Sequence, residues 1–144
     1  TERNVWGSLF ERHGNYHLAE AEKALLRVGL WEKRDELAKN LSYGQRKLLE
    51  IARVITMLEA MNINMVLFDE PFAGLFPEMV KLVEGIIKEL REQNKTLVLI
   101  EHNMDIIREL CDYLYVLDAG KLLAEGAHHE VLNRRDVLEA YLGE

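Results

Sequence analysis

Apolar positions along the chain fall into two rhythms. In the first third they recur at helical spacing. Leu18, Ala21, Leu25 and Val28 share one face, and Gly29 stands where a left-handed cap would end that helix. A short helical piece is predicted near residues 32–38. A longer helix is predicted from Ser42, because Ser42 and Gln45 have capping-box spacing: the serine accepts a backbone N–H and the glutamine reaches back. Leu48, Ile51, Ala52, Ile55 and Leu58 then line one face, and the helix is expected to end before Asn62.

Beyond Asn62 the rhythm changes. Met65, Val66, Leu67 and Phe68 form a continuous apolar run closed by Asp69, Glu70 and Pro71, the pattern of a strand buried on both faces. Pro77 opens a helix through Glu92, with Met79, Leu82, Val83, Ile86, Ile87 and Leu90 on its inner side. Residues 96–100 read as a second buried strand that ends at Glu101 and His102, and residues 104–111 as another helix. Asp118, Ala119 and Gly120 are a hairpin signal between strands at 113–117 and 121–124. Two short helices are predicted near 129–132 and 136–142.

Strands alternating with helices define an α/β fold with a mainly parallel sheet, in which a right-handed crossover through the 77–92 helix places both apolar strands in one sheet. Ligands of such sheets collect beyond the C-terminal strand ends, where both acidic clusters fall. Asp69 there can hold a metal ion's hydration shell, and Glu70 can take a proton from water. An oxygen-only site of this kind suits magnesium rather than zinc. The plain alternative is two charges that stop a strand at solvent. His102 can exchange hydrogen bonds with a reacting phosphate, or merely cap the next helix. The start of the Ser42 helix presents unpaired N–H groups and a partial positive charge to an anion, with Gly44 leaving room for it, or is only a capping box.

Composition narrows the classes. With 144 residues, 49% hydrophobic, the chain can build a core. Its net charge of −7 (18 basic against 25 acidic residues) argues against non-specific nucleic-acid binding. No apolar run approaches the roughly 20 residues of a membrane span. Cys111 is the only cysteine and reads as a small hydrophobe. The chain has neither an initiator Met nor a secretory signal, and the former raises the expectation that it begins inside a longer protein. His128 and His129 are expected to be exposed. His13 and His17, spaced for one helix face but separated by Gly14, make a poor metal pair, and Arg134 and Arg135 read as a solvated helix junction.

Leu41-Ser42-Tyr43-Gly44-Gln45 running on to Glu50-Ile51-Ala52-Arg53 resembles the signature motif of ABC-type ATPases. The apolar strand with Asp69-Glu70-Pro71 resembles their Walker B pattern. Ala73-Gly74-Leu75 with Pro77, and His102 after a second apolar strand, keep the family's order. The signature tyrosine, Leu99-Ile100-Glu101-His102-Asn103-Met104 and the ending Glu139-Ala140-Tyr141-Leu142-Gly143-Glu144 resemble the ATP-binding subunits of branched-chain amino-acid importers.

The resemblance implies two such subunits joined head to tail around two ATP molecules. Ser42, Tyr43, Gly44 and Gln45 would contact the γ-phosphate of the nucleotide held by the opposite subunit. Asp69 would position Mg²⁺ through water, Glu70 would be the general base, and His102 would sense the γ-phosphate. Ala73, Gly74 and Leu75 would cross the dimer interface. Phe76 departs from the pattern, standing where Asp or Asn is usual, and the stretch from Arg53 to Asp69 is a few residues longer than usual. The Gly-Lys of a P-loop occurs only at Gly120-Lys121, without the preceding glycine at position 115 or the following Ser/Thr. The expected architecture is therefore the C-terminal part of an ABC-type P-loop ATPase domain. Residues 1–61 would form the helical subdomain with the signature motif, and residues 62–144 the C-terminal half of the catalytic core.

Such a chain is expected to be inactive alone and to leave a sheet edge and apolar surface open, which favours self-association. Its implied partners are a second ATP-binding subunit and transmembrane permease subunits, with no nucleic acid, at the cytoplasmic face of the cell membrane. Two alternatives stand beside this one: a non-transport ABC ATPase, and a non-catalytic receiver-like α/β domain with a complete sheet of its own.

Overall fold

In a computed structural model, which describes residues 16–142, the first apolar stripe folds as helix α1 (Tyr16–Arg27). It ends on a left-handed Gly29, whose N–H donates to the Leu26 carbonyl at 3.1 Å, while the Leu30 N–H reaches back to Leu25 at 2.8 Å. This paired closure buries Leu25 and Leu30 together at the helix end. Leu18, expected on the inner face, is exposed one turn from the start.

The helix expected near 32–38 does not form as one piece. Two single turns of 3-10 helix take its place, Trp31–Lys33 and Ala38–Asn40. Leu37 between them is extended, and neither turn buries a residue, so no continuous apolar face holds an α-helix here. The Arg34 guanidinium lies 4.6 Å over the Trp31 ring and closes this segment instead.

Helix α2 (Tyr43–Ala60) starts on Ser42 and stops before Asn62, which takes a left-handed φ of 49°. Strand β1 (Met65–Asp69) follows, then helix α3 (Pro77–Glu92) with proline in its first turn. Helix α3 closes on Asn94 as α1 closes on Gly29: the Lys95 N–H donates to Leu90 at 3.1 Å and the Asn94 N–H to Arg91 at 2.9 Å. Strand β2 (Thr96–Ile100) pairs with β1. The Thr96 N–H donates to the Asn64 carbonyl at 2.7 Å, so both strands start at one edge, as a parallel pair joined by a helical crossover requires.

The chain divides into two compact units, Thr1–Val98 and Leu99–Glu144. In the first, α1 packs on α2 and α2 on α3. Ala21, Leu25 and Val28 meet Leu48, Ile51, Ala52, Ile55 and Leu58, and α3 adds Val83, Ile86, Ile87 and Leu90, all buried. Arg27 joins the three helices at the surface, pairing with Glu59 of α2 at 3.5 Å and with Glu89 of α3.

The second unit runs through α4 (Met104–Leu110), the antiparallel strands β3 (Tyr113–Asp118) and β4 (Lys121–Ala127), α5 (His128–Val131) and α6 (Arg135–Leu142). Ala119 and Gly120 both have positive φ, the two-residue turn that suits a hairpin's twist. A bulge lies between Val116 and Leu117. Ile107, Leu114, Val116, Ala124, Val131, Leu132 and Val137 form the core, with Cys111 packed at its margin.

A further expectation fails. The apolar strands are not buried on both faces. Met65 and Leu67 are each 60% exposed, and Val98 and Ile100 of β2 are also open. Among the described residues the four strands form two separate pairs rather than one sheet, so alternate strand side chains have nothing packed over them.

Candidate functional site

The first cluster is built on the start of α2. The Ser42 hydroxyl accepts the Gln45 N–H at 3.2 Å, and the Gln45 side-chain carbonyl accepts the Ser42 N–H at 3.0 Å. This capping box uses acceptor lone pairs of both side chains. It leaves the Ser42 hydroxyl proton and the Gln45 amide N–H groups as donors. The Tyr43 and Gly44 N–H groups belong to the helix's first turn, which has no intrahelical acceptors for them. Arg46 anchors the turn by donating to the Leu41 carbonyl at 2.7 Å. Donors therefore gather where the helix dipole is positive, an arrangement suited to an anion.

The second cluster is the loop after β1. Asp69 ends the strand and is exposed, and Glu70, also exposed, turns the chain with a left-handed φ of 45°. The Glu70 carbonyl accepts two donors, the Ala73 N–H at 3.3 Å and the Lys47 ammonium from α2. Pro71 and Phe72 are buried behind it. Asp69 is a single hard oxygen donor, and the described residues hold no group of three His, Cys, Asp or Glu side chains that would form a cage. Such a donor fits Mg²⁺ held through one carboxylate, waters and substrate phosphate.

The two clusters pack on each other. A Cβ on Gly44 would lie 2.8 Å from the Met79 sulfur and 3.5 Å from Leu75, so the turn sits directly on the start of α3. A Cβ on Gly74 would lie 2.7 Å from the Tyr43 ring, and Gly74 has a φ of 72° besides. Gly74 is required by its positive φ and the close Tyr43 ring, whereas a Cβ on Gly44 would be met by the flexible Met79 side chain; the Tyr43 ring rests on the loop that follows Glu70. Sequence reasoning named the motifs, yet it missed Met79 and Lys47 as the groups that join them. A lysine one turn into an amphipathic helix carries no signal of its partner.

His102 belongs to the second unit and is exposed. Its N–H donates to the Glu101 Oε2 at 3.1 Å, and the Asn103 N–H reaches the same oxygen at 3.4 Å. Asn103 in turn caps α4, its side-chain oxygen accepting from Asp105 at 3.0 Å and Ile106 at 3.4 Å. The backbone that carries His102 is thus pinned on both sides, a role for Glu101 that the sequence did not disclose. Phe76 is exposed and N-caps α3 without a side-chain bond.

The remaining candidates read as expected of surface groups. Arg134 bonds Asp136 through two nitrogens, at 3.0 and 2.6 Å, and Arg135 bonds Glu139 at 2.7 Å. His129 is exposed, and His128 is half-buried rather than fully exposed. His13 and the His17 side chain lie outside the described residues, as do Gly143 and Glu144 of the chain's ending.

A turn of donors packed on an acidic strand end suits an anion beside a hydrated cation, and comparison gives the chain's class. The chain belongs to the ABC transporter family, whose model matches residues 2–73. It is similar to the high-affinity branched-chain amino acid transport ATP-binding protein LivG of Salmonella typhimurium, 41% identical over 137 residues, which is 94% of this chain and 52% of LivG. The lipopolysaccharide export ATP-binding protein LptB of Haemophilus influenzae is 34% identical over 87% of the chain and 50% of LptB. The chain spans about half the length of the curated relatives it matches. Among solved structures, the ADP conformation of an ATP-binding cassette of an ABC transporter aligns with a TM-score of 0.75 at 33% identity, over 94% of this chain and 53% of that one. A nucleotide-free ATP-binding cassette aligns with a TM-score of 0.80 at 30% identity, over 99% and 64%. The receiver-like alternative gives way to these matches.

Proposed function

We propose that this chain is the signature-bearing and Walker B-bearing part of the ATP-hydrolysing subunit of an importer, with branched-chain amino acids as its cargo. The observation that carries the reading is the capping-box turn at Ser42 packed, through Tyr43 and Gly44, on the loop that follows Asp69 and Glu70. The cargo rests on similarity to LivG. Residues 1–61 act as the helical subdomain and residues 62–144 as the downstream half of the catalytic core.

In this reading Ser42, Tyr43, Gly44 and Gln45 offer N–H and O–H donors to the γ-phosphate of a nucleotide held by a second ATP-binding subunit. Asp69 holds Mg²⁺ through water, and that ion neutralises phosphate charge when bound. Glu70 takes the proton of the water that attacks the γ-phosphorus, and ADP leaves with the bridging oxygen. His102, on its pinned backbone, bonds the γ-phosphate. Ala73, Gly74 and Leu75 lie at the interface between the two subunits, and Phe76 brings an apolar contact there instead of a polar one. Among the described residues no helix is long and apolar enough to cross a membrane. By its likeness to transporter ATP-binding subunits such as LivG, the subunit works against permease subunits at the inner face of the cell membrane. An intact subunit also needs a P-loop, so the 144 residues alone are expected not to turn ATP over.

The test is uptake of labelled leucine, isoleucine and valine by cells that carry the intact subunit as wild type or as Glu70→Gln. Loss of uptake of these three solutes in the variant, with other amino acids unaffected, is expected. Undiminished uptake of all three refutes the assignment of cargo.

A further inference from the structure

Lys47 is absorbed by none of the roles above, and its ammonium reaches the Glu70 backbone from α2. It lies two residues past Gln45, on the helix whose first turn is closed by the Ser42–Gln45 capping box. Its ammonium donates to the Glu70 carbonyl, which the Ala73 N–H also reaches at 3.3 Å. Glu70 itself has a φ of 45°, a left-handed conformation uncommon for a residue with a long side chain. A backbone held there persists only where surrounding contacts over-determine it. Among the contacts that hold it are the turn to Ala73 and the charge-assisted bond from Lys47, just ahead of the buried Pro71 and Phe72. Of these, only Lys47 comes from the signature helix.

We infer that Lys47 is a positioning residue that fixes the Glu70 carboxylate by clamping its carbonyl, and that it thereby ties the base to the helix whose N-terminus contacts the other subunit's nucleotide. The inference rests on the reading of Glu70 as general base. It deepens that reading by naming what holds the base in place. Close packing supports the coupling, since Gly44 sits on Met79 and the Tyr43 ring lies on Gly74 with no room for a side chain there. A displacement of the signature turn is then carried to the Glu70 loop through the Lys47 side chain as well as through that packing. A lysine suits the task because a flexible four-carbon stem brings a compact charge to a carbonyl.

Two measurements test this, with Lys47→Met, Lys47→Arg and Glu70→Gln. In the 144-residue chain, hydrogen exchange at the Ala73 amide is expected to quicken about tenfold in Lys47→Met, and to stay as wild type in Lys47→Arg and Glu70→Gln. In the intact subunit, Lys47→Met is expected to lower kcat for ATP about tenfold with KM unchanged, and Lys47→Arg to restore most of it. A general loss of structure would raise exchange throughout and move KM too, and would count against the clamp. Unchanged exchange at Ala73, or wild-type kcat in Lys47→Met, overturns the inference. Full hydrolysis by Glu70→Gln overturns the reading of Glu70 as base, and the positioning role with it, even where Ala73 exchange still responds to Lys47.

Discussion

The helices of the first unit and the strands of the chain treat their apolar residues in opposite ways. Helices α1, α2 and α3 carry stripes of period 3.6, and each stripe meets another: Leu25, Ile55 and Leu90 are among the most fully buried side chains. Strands β1 and β2 are apolar at nearly every position, yet Met65, Leu67, Val98 and Ile100 stand open. In the hairpin Tyr113, Tyr115, Leu117 and Leu122 do likewise. A helix stripe is satisfied wherever a second stripe packs against it. A strand that is apolar on both faces needs a layer over each face and a partner at each edge. The helical layer is therefore closed within these residues, whereas the strands present surface fit for further protein.

The sharpest break in that comparison is a pair of truncations. Ile55→Ala, in the closed layer, is expected to destabilise the chain by roughly 2–5 kcal/mol, while Leu67→Ala, on the open face, stays within about 0.5 kcal/mol. Urea unfolding of both variants measures this. Equal losses would mean that Leu67 is covered in solution.

Charge on the open strands tests the same point through assembly. The wild-type chain is expected to self-associate as its concentration rises, and Leu67→Lys combined with Val98→Lys to shift it toward monomer in sedimentation velocity. A wild-type chain that stays monomeric throughout the concentration range would show that these faces need no cover. Within the closed layer, Ser42→Ala removes the side-chain half of the α2 capping box and should cost about 1 kcal/mol in thermal or urea unfolding. A change near zero would mean that packing at Gly44 and Tyr43 alone fixes the helix start.

The smallest effect belongs to the second unit's surface. The Arg134 hydrogen bond holds the Asp136 carboxyl below its ordinary value, aided by Arg134's charge and backbone bonds and opposed by partial desolvation. A lowered folded value stabilises the fold above the ordinary carboxylate range, and that stability is lost as pH falls through the folded value. Asp136→Asn should therefore make the acid side of the stability curve slightly less steep. An identical slope in both proteins would show that the pair contributes nothing, as exposed pairs often do.

What the sequence disclosed follows the same division. The capping box at Ser42 and Gln45, the Pro77 start of α3, the left-handed close at Gly29 and the turn at Ala119 and Gly120 are local devices, complete within a few residues, and all are present. Asp69, Glu70 and His102 stand out as candidates because each lies within two residues of the end of an apolar run. The two 3-10 turns around Leu37 were not, since a scattering of apolar residues does not say whether one face will be buried. Nor was the uncovered state of the strands, because the run Met65 to Phe68 reports the strand's preference and not its cover. Contacts between distant positions left no trace in the residue pattern: Gly44 on Met79, Tyr43 on Gly74, Lys47 on Glu70.

The central claim is that Glu70, at the end of β1, activates water for ATP hydrolysis in the intact subunit. Single-turnover phosphate release at saturating ATP and Mg²⁺, beside direct measurement of ATP binding, tests it most directly. Glu70→Gln is expected to bind ATP as the wild type does and to release phosphate at least about a hundredfold more slowly. Release by Glu70→Gln at the wild-type rate would contradict it.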